Sequence, residues 1–224
     1  MNTFVLNRCF LDGPAGKLET VIGEPQSIPQ GIAVIAHPHP QHGGTMDNKV
    51  VHTIFTTLLD LEFITVKFNF RGVGQSEGAF AHGIGEIQDV IAVVDAIRGQ
   101  FRQHLINKPL LLAGFSFGGA VQLHVAHKLN PQYLILVAPS VINLQAPEVP
   151  ETTHYALIIQ GDKDNIVLPA TILAWATPRS QPIVFIPGAE HFFHGKLSIL
   201  KQIIHAAFVR KEPYQPIIQP IGVV

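Results

Sequence analysis

The chain has 224 residues, of which 47% are hydrophobic and 14% are charged, and its formal net charge is −1. This length suits one well-buried core, so we predict a single domain over residues 1–224. The charge excludes a basic field for nucleic acid, and no apolar run reaches the roughly 20 residues that span a bilayer. One cysteine, Cys9, excludes an internal disulfide and favours a cytoplasmic setting. The composition leaves homodimer formation open.

The two ends of the chain differ from its middle. Within residues 1–30, Thr3–Phe10 and Lys17–Gly23 flank the turn sequence Asp12-Gly13-Pro14. We expect these two runs to form an antiparallel hairpin at the edge of a sheet. Residues 210–224 are punctuated by prolines and predict an irregular tail.

Between the two ends, short apolar runs alternate with stretches of helical periodicity. The runs are continuous and do not alternate with polar residues, which is typical of strands covered on both faces of a parallel sheet. They are Ile32–Ala36, Phe63–Phe68, Pro109–Ala113, Leu134–Ala138, Tyr155–Gln160 and Ile183–Ile186. Apolar stripes of helical spacing fall at 50–59, 87–97, 117–129 and 197–208. This alternation predicts an α/β fold with a mostly parallel, doubly wound sheet.

Two pentapeptides match the G-x-S-x-G pattern of a serine nucleophile, one centred on Ser76 and one on Ser116. A nucleophile elbow needs a strand that runs into a sharp turn and then a helix, because the turn lifts the hydroxyl beside a helix N-terminus. Ser116 has an apolar run before it and a helical stripe after it. Ser76 lies in a glycine-rich polar stretch with no helix directly behind it. We therefore predict Ser116 as the nucleophile and Ser76 as a loop residue.

A serine nucleophile needs a general base, and the base needs a third group that fixes its tautomer. The loop after the fifth apolar run carries Asp162 and Asp164, and the loop after the sixth run carries His191. We predict Asp164 as the acid, because it lies deeper in its loop and just before two apolar residues. Asp162 is the alternative acid. His194 and His205 are the alternatives to His191 as the base.

A tetrahedral intermediate needs two backbone N–H donors that face its oxygen. We expect one from Phe117, directly after the nucleophile, and the other from His39, which lies between two prolines that have no N–H. The same loop suggests a metal site instead, made by His37, His39 and His42, since His-x-His places two imidazoles on one face of a strand. The prolines interrupt such a strand, so we predict no metal. We expect Asp47 to cap the next helix.

With these motifs in order, the chain resembles the α/β-hydrolase superfamily over about residues 30–208. More narrowly, it is similar to the small lidless branch related to dienelactone hydrolases and serine esterases. Residues 36–40 (AHPHP), 43–50 (GGTMDNKV) and 68–78 (FNFRGVGQSEG) carry the narrower resemblance. It implies esterase-type acyl transfer without a cofactor. Dienelactone hydrolases use a cysteine nucleophile and this position is Ser116, so their substrate is not carried over.

These observations predict a serine esterase that acts on a small or medium acyl substrate. Ser116 would attack the carbonyl carbon, His191 would move the proton, and Asp164 would orient His191. A thioesterase or small-peptide hydrolase would use the same residues. The remaining alternative is a catalytically silent binding protein of the same fold.

The segment between the fourth and fifth apolar runs is where a lid over the site would be inserted. Only 16 residues, Pro139–His154, separate the two runs, and they include three prolines and no helical stripe. A segment of this length connects elements and does not form a lid. We therefore expect an open, shallow pocket walled by Phe115, Phe192 and Phe80, with a preference for short acyl groups.

Overall fold

The computed structural model describes residues 4–208, which form a sheet flanked by helices. The strands are β1 (Phe4–Gly13), β2 (Gly16–Pro25), β3 (Ile32–Ala36), β4 (Ile64–Phe68), β5 (Leu110–Phe115), β6 (Tyr133–Val137), β7 (Tyr155–Gly161) and β8 (Val184–Ile186). The helices are α1 (Lys49–Asp60), α2 (Ile84–Gln100), α3 (Phe117–Leu129), α4 (Pro169–Ala176) and α5 (Leu197–Phe208). Short 3₁₀ turns lie at Pro40–His42 and Thr177–Arg179.

The eight strands form one sheet in the order β1-β2-β4-β3-β5-β6-β7-β8. Strand β2 runs antiparallel to both β1 and β4, and every other neighbouring pair is parallel. Gly13 pairs with Gly16, so a two-residue turn closes the hairpin. The predicted fold class, including the edge hairpin, is confirmed.

Two apolar cores lie on opposite faces of the sheet. In β3, Ile32, Val34 and Ala36 face the core under α2 and α3, whereas Ala33 and Ile35 face the core under α1 and α5. Because both faces are covered, the central strands are mostly apolar on both faces, as predicted, with Thr65 and Lys67 of β4 and Gln160 of β7 as buried polar exceptions. Helix α4 was not predicted, since its buried residues are too few to mark a stripe.

The predicted cap of α1 is wrong. Asn48, and not Asp47, caps α1: its Oδ1 accepts the Val50 N–H at 2.9 Å. Asp47 instead accepts a hydrogen bond from the buried Lys67 Nζ at 2.7 Å, so its side chain is unavailable to the helix. The predicted irregular tail, 210–224, lies outside the described residues.

The connection from β6 to β7 consists of turns and contains no helix within the described chain. It packs against two helices: His124 of α3 lies 3.0 Å from the Leu144 carbonyl, and the Trp175 side chain of α4 donates to the Ala146 carbonyl at 3.2 Å. The predicted absence of a lid agrees with this. Across residues 4–208, none of the helices combines the length and apolarity that a membrane crossing requires.

Candidate active site

Loops at the carboxyl ends of the parallel strands bring three predicted residues together. Ser116 lies between β5 and α3, Asp164 follows β7, and His191 follows β8. The carboxyl ends of parallel strands meet at one edge of a sheet, which is where ligands bind in open α/β folds. Residues far apart in the sequence therefore meet in one place.

Ser116 lies at a strained turn from strand to helix. Its backbone has φ 54° and ψ −117°, a region that residues other than glycine seldom adopt and that persists only when its surroundings fix it. The Ser116 N–H donates to the Val137 carbonyl at 2.9 Å, which ties the turn to β6. A Cβ at Gly114 would lie 2.4 Å from the Gly118 carbonyl, and one at Gly118 would lie 2.3 Å from the Ala36 carbonyl. Only glycines permit this packing.

A chain of hydrogen bonds joins the three side chains. His191 Nε2 lies 3.1 Å from Ser116 Oγ, and His191 Nδ1 lies 2.7 Å from Asp164 Oδ2. The imidazole and the carboxylate are buried, and Ser116 is 7% exposed. Because a carboxylate only accepts, Nδ1 carries the proton of the neutral ring. Nε2 then faces the serine hydroxyl as an acceptor.

Four hydrogen bonds hold the Asp164 carboxylate. Oδ1 accepts the N–H groups of Ile166 and Val167, and Oδ2 accepts Gln160 Nε2–H as well as the His191 ring. Burial raises the pKa of the Asp164 carboxyl. The bonds from His191, Val167 and Ile166 outweigh burial, so the pKa lies below its usual value. Sequence reasoning missed Gln160, whose only signal was a polar residue inside an apolar run.

The alternative residues lie elsewhere. Asp162 is exposed and accepts the Gly188 N–H at 2.6 Å. His194 and His205 are exposed, and neither has a hydrogen bond to Ser116 among the described residues. Ser76 is buried: its Oγ accepts the Glu19 N–H at 2.9 Å and donates to the Asn69 carbonyl at 2.7 Å. The hydroxyl of the second G-x-S-x-G match is thus fully used inside the fold.

The backbone N–H groups of Phe117 and His39 have no hydrogen-bond acceptor within residues 4–208. Phe117 begins α3, where N–H groups have no intrahelical acceptor. The Phe117 and His39 rings lie 4.9 Å apart, which brings the loop after β3 against the start of α3. The two residues predicted as oxyanion donors are therefore neighbours.

The three predicted aromatic walls differ in exposure. Phe115 is 0% exposed and its ring lies 5.0 Å from that of His191, so it supports the imidazole from within the core. The prediction that Phe115 lines the pocket is wrong, because substrate cannot reach it. Phe192 is 38% exposed beside His191, and Phe80 is half-buried, 5.0 Å from the His39 ring. Both are available to a substrate.

The histidines after β3 do not converge as metal ligands. His39 and His42 stack with their ring centroids 4.4 Å apart. Both nitrogens of His37 are engaged, Nδ1 with the Pro38 carbonyl and Nε2 with the Phe70 N–H. In residues 4–208, no three His, Cys, Asp or Glu side chains are grouped to hold a metal ion.

This sheet, with a serine at a strand–helix elbow, defines the α/β serine hydrolase class. A family model described as serine aminopeptidase, S33, matches residues 29–157, which is more than half of the chain. The chain belongs to this family of α/β hydrolases. The predicted superfamily is confirmed, and the narrower resemblance to dienelactone hydrolases stays a prediction.

Similar proteins share both sequence and fold. An α/β serine hydrolase homologue from Coxiella burnetii is 38% identical, with a TM-score of 0.82 over 90% of this chain and 96% of that one. A lidless α/β serine hydrolase from Xanthomonas campestris is 36% identical, with a TM-score of 0.84 over 94% and 97%. Monoglyceride lipase of Mus musculus is 26% identical over 152 residues, which are 65% of this chain and 45% of the lipase.

Proposed function

We propose that the protein is a serine esterase that cleaves carboxylic esters through an acyl-enzyme. The observation that carries the proposal is the continuous hydrogen-bond chain from Ser116 Oγ through His191 to Asp164, with distances of 3.1 and 2.7 Å. A serine hydroxyl becomes a nucleophile when an oriented base removes its proton. The strained elbow supports the same role, since strain of this kind is concentrated at active sites.

In the proposed reaction, Ser116 Oγ bonds to the ester carbonyl carbon while its proton moves to His191 Nε2. The carbonyl oxygen becomes an oxyanion that the N–H groups of His39 and Phe117 stabilise. The intermediate collapses, and His191 donates the proton to the departing alkoxide, which leaves as the alcohol. Water then attacks the acyl-enzyme with His191 as base, releases the carboxylic acid and restores Ser116. Asp164 stays ionised and stabilises the imidazolium.

The surroundings of Ser116 favour a neutral acyl group. The apolar ring of Phe80 lies beside His39, and that of Phe192 lies beside His191. The mouse relative is a monoglyceride lipase by name, and monoglycerides are carboxylic esters. With no lid over these rings, the proposed substrates are esters of short or compact acids, because an open pocket buries few methylenes.

A second candidate is peptide hydrolysis, which the family description as a serine aminopeptidase favours. An aminopeptidase must hold the ammonium group of its substrate, usually with a carboxylate. The oxygens of Glu190 already accept the N–H groups of Phe192 and His194. Those of Glu86 accept two further backbone N–H groups. Esters are therefore the better-supported class, and turnover of aminoacyl anilides in preference to acyl esters would reverse this choice.

The proposal is tested by covalent labelling with a fluorophosphonate and by ester turnover. Ser116→Ala should abolish labelling and lower kcat by about 10⁴ or more, which is the usual cost of losing such a nucleophile. Ser76→Ala is the matched control, since it removes the hydroxyl of the other G-x-S-x-G match. We expect it to fold, to label and to keep substantial activity, although the loss of two buried hydrogen bonds should lower its stability by about 1–3 kcal/mol. Equal loss in both variants, or labelling of Ser116→Ala, would refute the assignment.

A further inference from the structure

The direction of the His39 N–H is set by the peptide unit that it shares with the Pro38 carbonyl. A peptide unit is planar, and its carbonyl and N–H point in opposite directions. The Pro38 carbonyl and the His39 N–H belong to the same unit, so fixing the carbonyl fixes the direction of the N–H. His37 Nδ1 lies 2.6 Å from the Pro38 oxygen. Since a carbonyl only accepts, His37 Nδ1 donates this hydrogen bond.

The second nitrogen of His37 is bound from the other side. His37 Nε2 accepts the Phe70 N–H at 3.1 Å, so the ring must be neutral, with its proton on Nδ1. The side chain is fully buried, and its centroid lies 4.6 Å from that of Phe70. Burial lowers the pKa of His37 to about 4, although the bond to the Pro38 carbonyl acts in the opposite direction. A second proton would break the bond from Phe70.

The Phe70 N–H is itself fixed by a buried network. The neighbouring Asn69 donates its N–H to the Glu19 carbonyl at 2.8 Å and its Nδ2–H to Glu19 Oε2 at 2.7 Å. Asn69 Oδ1 accepts the Met46 N–H at 2.8 Å, which ties the far end of the loop after β3 to the same residue. Ser76 completes the network through Glu19 and Asn69. The second G-x-S-x-G match thus belongs to the support of His37.

We propose that His37 is a positioning residue that directs the His39 N–H toward the oxyanion. The inference rests on the proposed function, in which that N–H stabilises the transition state. His37 does not touch the reacting atoms. It acts through one peptide unit, held at the carbonyl by a neutral ring whose other nitrogen is anchored to Phe70.

The kinetic test compares two substitutions. His37→Phe keeps a ring of similar size but removes both hydrogen bonds. We expect kcat to fall by about 10- to 100-fold with little change in KM, because the misdirected contact is made only in the transition state. His37→Asn keeps a short N–H donor toward Pro38, so it should recover part of kcat. Val93→Ala, a buried change in α2 remote from the site, is the control for lost stability alone.

A second measurement is independent of turnover. Nitrogen-15 NMR of the wild-type imidazoles should show a His37 ring that is protonated on Nδ1 only, from pH 8 down to pH 5. A His37 ring protonated on Nε2, or doubly protonated at pH 6, would overturn the inference and leave the esterase proposal intact. So would unchanged kcat in a folded His37→Phe enzyme. Failure of the wild type to label with fluorophosphonate would overturn both proposals.

Discussion

Asp164→Asn exchanges a buried carboxylate for an amide of nearly the same size. The amide oxygen can keep the bonds from the Ile166 and Val167 N–H groups, which turns the NH₂ group toward Gln160 and His191. In the wild type, both Gln160 and His191 donate to the Asp164 carboxylate. His191 can keep a bond to the amide only by accepting through Nδ1, which moves its proton to Nε2. That is the nitrogen that must accept the proton of Ser116.

The expected loss of kcat follows from this change in the tautomer of His191. Presenting the serine with a protonated nitrogen lowers kcat by about 10⁴ in the best-studied triads, which corresponds to about 5 kcal/mol of activation free energy. Gln160 cannot relieve the clash by turning over, because its Nε2 also donates to the Val167 carbonyl at 2.9 Å. We expect a further loss of about 1–3 kcal/mol in unfolding free energy from the unpaired donor.

The loss of stability should depend on pH. The pKa of Asp164 is lower in the folded chain than its usual value, so the carboxylate stabilises the fold above the unfolded-state pKa. This contribution disappears as pH falls through the folded-state pKa. Urea unfolding should therefore show the largest difference between wild type and Asp164→Asn at neutral pH and a smaller one near pH 3.

The assay is kcat on a short p-nitrophenyl ester at neutral pH, with Asp162→Asn as the matched control. Asp162 is exposed, and an asparagine oxygen can still accept the Gly188 N–H. Its kcat should stay within about threefold of wild type, since surface substitutions change free energies by about 0.5 kcal/mol. If Asp162→Asn is the damaging change and Asp164→Asn is mild, the reasoning is wrong.

Two further predictions concern the oxyanion and the pocket. His39 has φ −54°, which suits proline, so His39→Pro should remove the N–H without bending the chain and lower kcat by about 10²–10³. His39→Ala keeps the N–H, and a loss as large as that of His39→Pro would show that the ring matters instead. Each methylene that the pocket buries adds about 0.8 kcal/mol, and an open pocket buries few of them. In a series of p-nitrophenyl esters from acetate to palmitate, kcat/KM should therefore stop rising after a short acyl chain. A maximum at palmitate, or a jump at the micellar threshold, would reveal a cover that the connection from β6 to β7 does not form.

The order of apolar runs, helical stripes and loop residues along the chain was enough to predict the sheet and the positions of the candidate site residues. Strands covered on both faces leave apolar runs, and a strand that leads directly into a helix marks Ser116. Asp164 and His191 could be predicted because loops after parallel strands share one edge. The burial of Phe115 was also predictable, since β5 places it on the same face as the buried Leu111 and Ala113.

Other features depend on contacts that sequence order does not reveal. Asn48 caps α1 because Asp47 is engaged by Lys67, 20 residues later. The role proposed for His37 depends on its hydrogen bond from the Phe70 N–H, which is 33 residues away in the sequence. No local sequence pattern predicts a contact between these two residues. The position of β4 between β2 and β3 is likewise a property of the assembled sheet.

The histidine of the site follows β8, the shortest strand of the described sheet. Strand β8 has three residues and, among the described residues 4–208, pairs with β7 alone and leaves Val184 exposed at the end of the sheet. Local unfolding begins where few buried contacts hold the backbone. If this edge opens first, the proposed base His191 would leave the site while the core is still intact. Loss of turnover would then detect local unfolding at this edge of the sheet under conditions in which spectroscopic signals from the core still indicate a folded protein.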